Sequence, residues 1–399
     1  MTSRRNRPTA PSQDATTAWL RLLACGLGLL LVAGLGCRPR WSKDGERVTY
    51  GARDGDRHIV AEHELATGRS RKLFDIGLND GAMDMVRDPD QPRWVIVWAD
   101  GTDDALVKVR TRDDGGEESE AIEVRPGGRN ISIMMTEPVV ARGYVFLTGS
   151  KLTRVDLETG ETKQRDDRGL VAFPMDDGVG YTTSTPVGWE IGRLDPETLE
   201  RTPMIEKPAD CDWRPAGAPR YDPTGKRCAV AVRRGESAEF PFQQPASLDT
   251  FEWAILIFEE GKLLTTVALE GTQTMGPIAW LAMGPIAWLD AVTIGATVMR
   301  PGDKEDRFSL LETNFSGSFR RETPLLNAPV NERMLKDGGV IYRLKQPLFL
   351  QPSPSPDGKT VAFTTAKMPS LPPDRGGLLL LRRDQKNRVD RVAFDFAEK

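Results

Sequence analysis

Histidine and cysteine are the scarce residues of this chain, two of the first and four of the second among 399. Both histidines, His58 and His63, fall in one predicted strand, "HIVAEHE". A separation of five there points the rings to opposite faces, so they cannot share a metal ion. They read as ordinary exposed strand histidines. A Ser-His-Asp triad has no base to draw on elsewhere, and no G-x-S-x-G elbow occurs. No catalytic residue, metal or cofactor is expected on these grounds. Long stretches with apolar residues at helical spacing are also missing.

The N-terminal uncharged run is also shorter than the ~20 residues that a membrane-crossing helix needs. The candidate, "LLACGLGLLLVAGLG" at 22–36, has 15 residues and follows a polar stretch headed by Arg4, Arg5 and Arg7. That layout predicts a signal peptide over residues 1–36. The run ends in "AGLGC", which resembles the cleavage box of bacterial lipoproteins and makes Cys37 the expected lipidated residue. Loss of residues 1–36 removes Arg4, Arg5, Arg7, Arg21 and Asp14, leaving 50 basic and 57 acidic residues and a net charge of −7. Nucleic acid is a poor partner for such a chain. The expected location is the periplasm or the outer face of the envelope, with the protein held to the membrane as a monomer.

Of the cysteines beyond Cys37, Cys211 and Cys228 remain, in a compartment where disulfides persist. They either form a bridge or stay separate, Cys228 as a small buried hydrophobe in "KRCAVAV" and Cys211 as a loop residue in "PADCDWRPAG".

What the chain has in quantity is turn chemistry, with 38 glycines and 29 prolines. Three units share one plan: "WSKDGERVTY" at 41, "YDPTGKRCAV" at 221 and "PSPDGKTVAF" at 354. Each has a tight turn ending in Gly45, Gly225 or Gly358, where positive φ is cheap, followed by alternating strand residues. A second element, a hairpin, recurs at "HELATGRSRK", "VRTRDDGGEESEAIEV", "RVDLETGETKQ", "RLDPETLERT", "IFEEGKLLTTV", "LLETNFSGSFRRET" and "LRRDQKNRVDRV". Short strands and turns repeating every ~40 to 70 residues are the signature of propeller blades. The expected fold is an all-β propeller of seven blades, with six or eight compatible with the same length. It covers residues 41–399 behind a short linker at 37–40 and closes by packing "LLLLRRDQ" and "RVAFDF" against the first blade.

These units resemble the WD-like repeats of the TolB family of β-propellers, which follow a Trp-Ser-Pro-Asp-Gly-Lys turn with an apolar strand and then an Asp-Leu-x-Thr-Gly hairpin. The chain departs from that pattern at Lys43, Thr224 and Pro354. The resemblance implies the fold. The first blade starts at Trp41, close behind the export segment, so the separate α/β domain and role of TolB itself are not implied.

Four segments stand apart. "MGPIAWLA" at 275–282 is followed directly by "MGPIAWLD" at 283–290, a copy whose even length preserves strand faces and whose prolines oppose a helix; it reads as an added loop or a lengthened strand entrance. "GGVIYRLKQPLFLQ" at 338–351 matches no blade element. The loops at 206–217 and 235–251 carry Trp213, Phe240 and Phe242, candidate anchors for a protein or glycan partner, or rings that order their own loops. The expected function is a non-enzymatic interaction or scaffold module of the bacterial envelope. Its alternatives are a carboxylate-dependent enzyme acting on polysaccharide and a propeller that binds sugars or small molecules.

Overall fold

The structure is a computed structural model. It describes residues 38–392 except 55–56, 78–82, 100–105, 127–136, 150, 167–169, 176–177, 185–187, 216, 235–251, 270–285, 301–304, 330–331, 338–339, 346–349 and 365–376.

Seven antiparallel sheets follow one another along the chain, each built from consecutive strands in sequence order. Blade I comprises Arg40–Trp41, Arg47–Asp54, Arg57–Glu64 and Arg69–Gly77, and blade II Met83–Arg87, Arg93–Ala99, Val107–Asp113 and Ile122–Val124. Blade III runs through Val139–Ala141, Tyr144–Thr148, Leu152–Asp156 and Thr162–Arg165, and blade IV through Leu170–Met175, Gly178–Ser184, Trp189–Leu194 and Arg201–Glu206. In blade V the first strand is split into Arg214–Pro215 and Arg220–Tyr221, both pairing with Arg227–Arg234; Glu252–Glu259 and Lys262–Ala268 complete it. Blade VI is Ile286–Trp288, Thr293–Arg300, Glu305–Asn314 and Arg320–Pro329, and blade VII Ser353–Pro354, Thr360–Thr364, Leu378–Arg382 and Arg388–Val392. All seven predicted hairpins join the third and fourth strands of a blade, and the three predicted turn units join first strands to second.

Local chemistry explains these turns. The Asp44, Asp222 and Asp357 carboxylates each accept the backbone N–H two or four residues on, while Gly45, Gly225 and Gly358 take φ of 73°, 71° and 68°. In the hairpins, Asp156 and Asp195 cap the following turn in the same way.

Seven apolar clusters hold the ring, and each is shared by two consecutive blades. Val60 and Phe74 of blade I meet Met85, Ile96 and Trp98 of blade II, and so on around to Val48, Tyr50 and Ile59 of blade I against Leu378 and Leu380 of blade VII. Middle strands are covered on both faces, which is why "AILIF" and "LLLL" are unbroken apolar runs, whereas the fourth strands of blades III, IV and V are mostly exposed. Among the described residues, closure exchanges no strand between the first and last blades. It rests on the packing just described and on Trp41 Nε1 donating to the Ser353 carbonyl at 2.8 Å and Ser353 Oγ donating to the Pro39 carbonyl at 2.6 Å. Arg38 Nη2 reaches the Pro352 carbonyl at 3.1 Å, so residues 38–40 of the expected linker are held by the ring itself.

The two unassigned segments find places. Within the tandem copy, the second "IAW" is the first strand of blade VI, where Trp288 Nε1 donates to the Arg220 carbonyl of blade V at 2.8 Å; the first copy lies outside the described residues. Glu332–Asp337 and Val340–Lys345 form an additional hairpin between blades VI and VII. His63 corrects the expectation of an exposed strand histidine. It is 4% exposed, its Nδ1 is 3.0 Å from Ser70 Oγ, and burial together with the nearby Arg382 charge lowers its pKa.

Candidate functional site

First strands of most neighbouring blades touch one another, which places them innermost in the ring. Each blade is an antiparallel meander, so first strands start, and second strands end, on one face of the disc, while the Asp-Gly turns and the hairpins occupy the other. Residues of the first strands therefore converge near the axis.

Four charged side chains meet there. Arg38 and Arg40 lead into and begin the first strand of blade I, Glu137 precedes that of blade III, and Arg220 belongs to that of blade V. Glu137 is 5% exposed and is the common acceptor: Arg40 Nη2 bonds Oε1, while Arg220 Nη2 and Arg38 Nη1 lie 3.5 and 3.8 Å from Oε2. Blades I, III and V are not neighbours, so these contacts have to cross the centre of the ring. Asp84, buried in the first strand of blade II, adds its field to Arg38.

The electrostatics follow from burial. Desolvation alone would raise the Glu137 pKa, but the Arg40, Arg220 and Arg38 charges outweigh it and hold the carboxyl at about 2. Desolvation, with repulsion from Arg220 and Arg40, pulls Arg38 down to about 9 despite Glu137. The cluster is thus a set of fixed charges near neutral pH, suited to holding shape and engaging charge.

Gln351 immediately precedes Pro352, the residue whose carbonyl receives Arg38. Its side chain is 5% exposed, and neither Nε2 nor Oε1 has a hydrogen-bond partner. Arg220 Nε is likewise buried without one.

The residues singled out in the sequence lie elsewhere. Cys37, Phe240 and Phe242 fall outside the described residues. Cys211 and Cys228 are free thiols buried in the cluster shared by blades IV and V, where burial pushes the Cys228 thiol up to about 12. Trp213 is half-buried against that cluster, its carbonyl accepting from Trp189 Nε1 at 2.9 Å and its ring lying 4.7 Å from the Arg234 guanidinium. Among the described residues, no group of three or more His, Cys, Asp or Glu could hold a metal ion. One signal for the axial cluster is present in the sequence. Arg40-Trp41 and Arg220-Tyr221 occupy the same place ahead of their turn units, and equivalent innermost positions face the same axis. Glu137, in "TEPVVARG", carries no comparable mark.

No family model matches this chain, and no curated protein does. Among solved structures it is similar to the β-propeller domain of the Trilobed protease from Pyrococcus furiosus, at 11% identity over 92% of this chain and 99% of that one, with a TM-score of 0.46. An oligogalacturonate lyase from Vibrio parahaemolyticus is similar at 13% identity over 90% and 91%, TM-score 0.47, and an ulvan lyase at 12% over 88% and 92%, TM-score 0.48. These are likenesses of fold; the sheet order and the seven shared clusters define a seven-bladed β-propeller.

Proposed function

We propose that this chain is a non-enzymatic binding propeller displayed on a bacterial envelope membrane and tethered by a lipid on Cys37. The observation that carries this reading is the axial cluster. A general acid has to hold a proton near neutrality, and Glu137, at about 2, is instead a carboxylate pinned by guanidiniums. Such a group recognises and positions; it does not shuttle protons.

The path of the chain supports the tether. Arg38 stands two residues ahead of the innermost strand Arg40–Trp41, and Cys37 precedes it directly in sequence. A lipid there joins the ring near its axis and directs the turn-and-hairpin face away from the bilayer. The test is affinity purification of the tagged full-length protein from crosslinked envelopes, beside a Cys37→Ser form. A reproducible partner captured only with the membrane-bound wild type supports an anchored binding module. Membrane association unchanged in Cys37→Ser refutes the tether, and absence of any partner from either form counts against the binding role.

A further inference from the structure

We infer that the outer edge of blade V pairs with the same edge of a second copy of this chain, joining two propellers through one antiparallel sheet. The inference goes beyond the binding role proposed above and is independent of the axial cluster. It makes a dimer of a chain whose sequence reading expects a monomer.

The first argument is the contrast among the seven edges. Among the described residues the fourth strand of each blade pairs on one side only, and such strands are ordinarily protected from further pairing by charge, proline or brevity. Charges are spread along "RSRKLFDIG" of blade I, "TKQR" of blade III and "RVDRV" of blade VII. Pro203 interrupts the edge of blade IV and Pro324 that of blade VI, while the edge of blade II is three residues long. Lys262–Ala268, "KLLTTVA", has none of these protections: it has seven residues, no proline, and a single charge at its first position. Leu263 and Leu264 are 41% and 46% exposed. Met204 of blade IV, 39% exposed, extends this apolar surface, its carbonyl oxygen lying so close to Gly261 that a Cβ there would come within 2.7 Å of it.

The second argument is that this edge complements itself. Leu269 N–H donates to the Trp253 carbonyl at 2.8 Å, and the register places Val267 opposite Ile255 and Thr265 opposite Ile257. The odd-numbered residues are therefore the ones bonded to the neighbouring strand, and Thr266 and Ala268 turn their N–H and C=O groups outward. A two-fold axis at Thr266 sets that residue opposite its own copy as a hydrogen-bonded pair and sets Ala268 opposite Leu264, so threonine meets threonine and the small residue meets the large one. The strand's one charge then falls at the far ends. The two Lys262 side chains stand about 27 Å apart along the sheet, well beyond the screening length of ~8 Å, whereas parallel pairing in register would place them side by side. A second copy thus satisfies backbone, side-chain fit and charge together, which commits the edge to it.

The test is sedimentation equilibrium of the detergent-purified full-length protein, wild type beside Leu264→Lys and Thr266→Pro, together with oxidation of Thr266→Cys in native envelopes. Wild type should dimerise as its concentration rises. Both variants should weaken self-association about tenfold or more, Leu264→Lys by placing a charge in the shared sheet and Thr266→Pro by removing an outward donor. Leu264 is exposed, so its replacement leaves the core intact and keeps the test decisive should Thr266→Pro fail to fold. Two Thr266→Cys positions facing across the axis would have Cα atoms ~5.5 Å apart, within disulfide reach, so a covalent dimer is expected. Thr162→Cys, on the edge of blade III, should give none. A monomer at every concentration, a dimer that both variants retain, crosslinking no greater in Thr266→Cys than in Thr162→Cys, or a monomer whose blade V edge is taken by a strand of another protein each overturns the inference.

Discussion

Replacement of Glu137 by Gln is the sharpest probe of how the ring is held. The substitution keeps the side chain's size and leaves three guanidiniums, from blades I and V, enclosed without the carboxylate they share. Removing one partner of a buried ion pair costs about 3–5 kcal/mol, because the remaining charge stays desolvated. The protonation behaviour gives an independent figure. A fall of the carboxyl from its ordinary 4.5 to about 2 corresponds to stabilisation on the order of 3 kcal/mol at neutral pH. The folded state holds this proton less tightly than the unfolded chain. The stabilisation is therefore complete above pH 4.5 and drains away as pH falls toward 2, with roughly half or more gone by pH 3. Urea unfolding followed by tryptophan fluorescence, on wild type and Glu137→Gln at pH 7 and pH 3, reads both effects. A large gap at pH 7 that narrows at pH 3 is expected. A gap below about 1 kcal/mol, or one independent of pH, would show that the cluster is not a stabilising hub.

Other regions yield equally direct expectations. Glu312 is fully buried and accepts from Arg321 Nη2 at 2.6 Å and Arg383 Nε at 2.7 Å, coupling blades VI and VII; Glu312→Gln should cost about 3 kcal/mol in the same unfolding assay. Gly225→Ala, at φ 71° with open space around it, should cost about 1–2 kcal/mol, whereas Gly358→Ala should cost about 3 kcal/mol or more. There the new Cβ would lie 2.2 Å from the Leu289 carbonyl oxygen, and thermal denaturation of the two variants side by side tests the contrast. Cys228, buried with its thiol at about 12, should resist iodoacetamide at pH 8 in the native protein and react once urea is added, as peptide mass mapping would reveal.

The blades were legible because their determinants are local. An Asp-Gly turn is decided by a side chain reaching a backbone N–H a few residues away and by a glycine that tolerates positive φ, and all of this lies within one short window. The seven hairpins and the unbroken apolar middle strands carry the same kind of information, and together they determined a seven-fold β repeat. Burial of His63 was not legible, since the neighbouring blade VII arrives from the other end of the chain. Nor was the role of the second "IAW" copy, because two identical segments compete for one innermost position and the ring accommodates the one carrying Trp288. The axial cluster is the extreme case. Arg38, Glu137 and Arg220 belong to blades that are neither neighbours in sequence nor in contact along their faces, and only closure of the ring brings their charges within reach of one another. Local turn and strand chemistry determined the unit and its repetition; the convergence of innermost strands, a long-range consequence of packing blades into a circle, decided which charges share the centre.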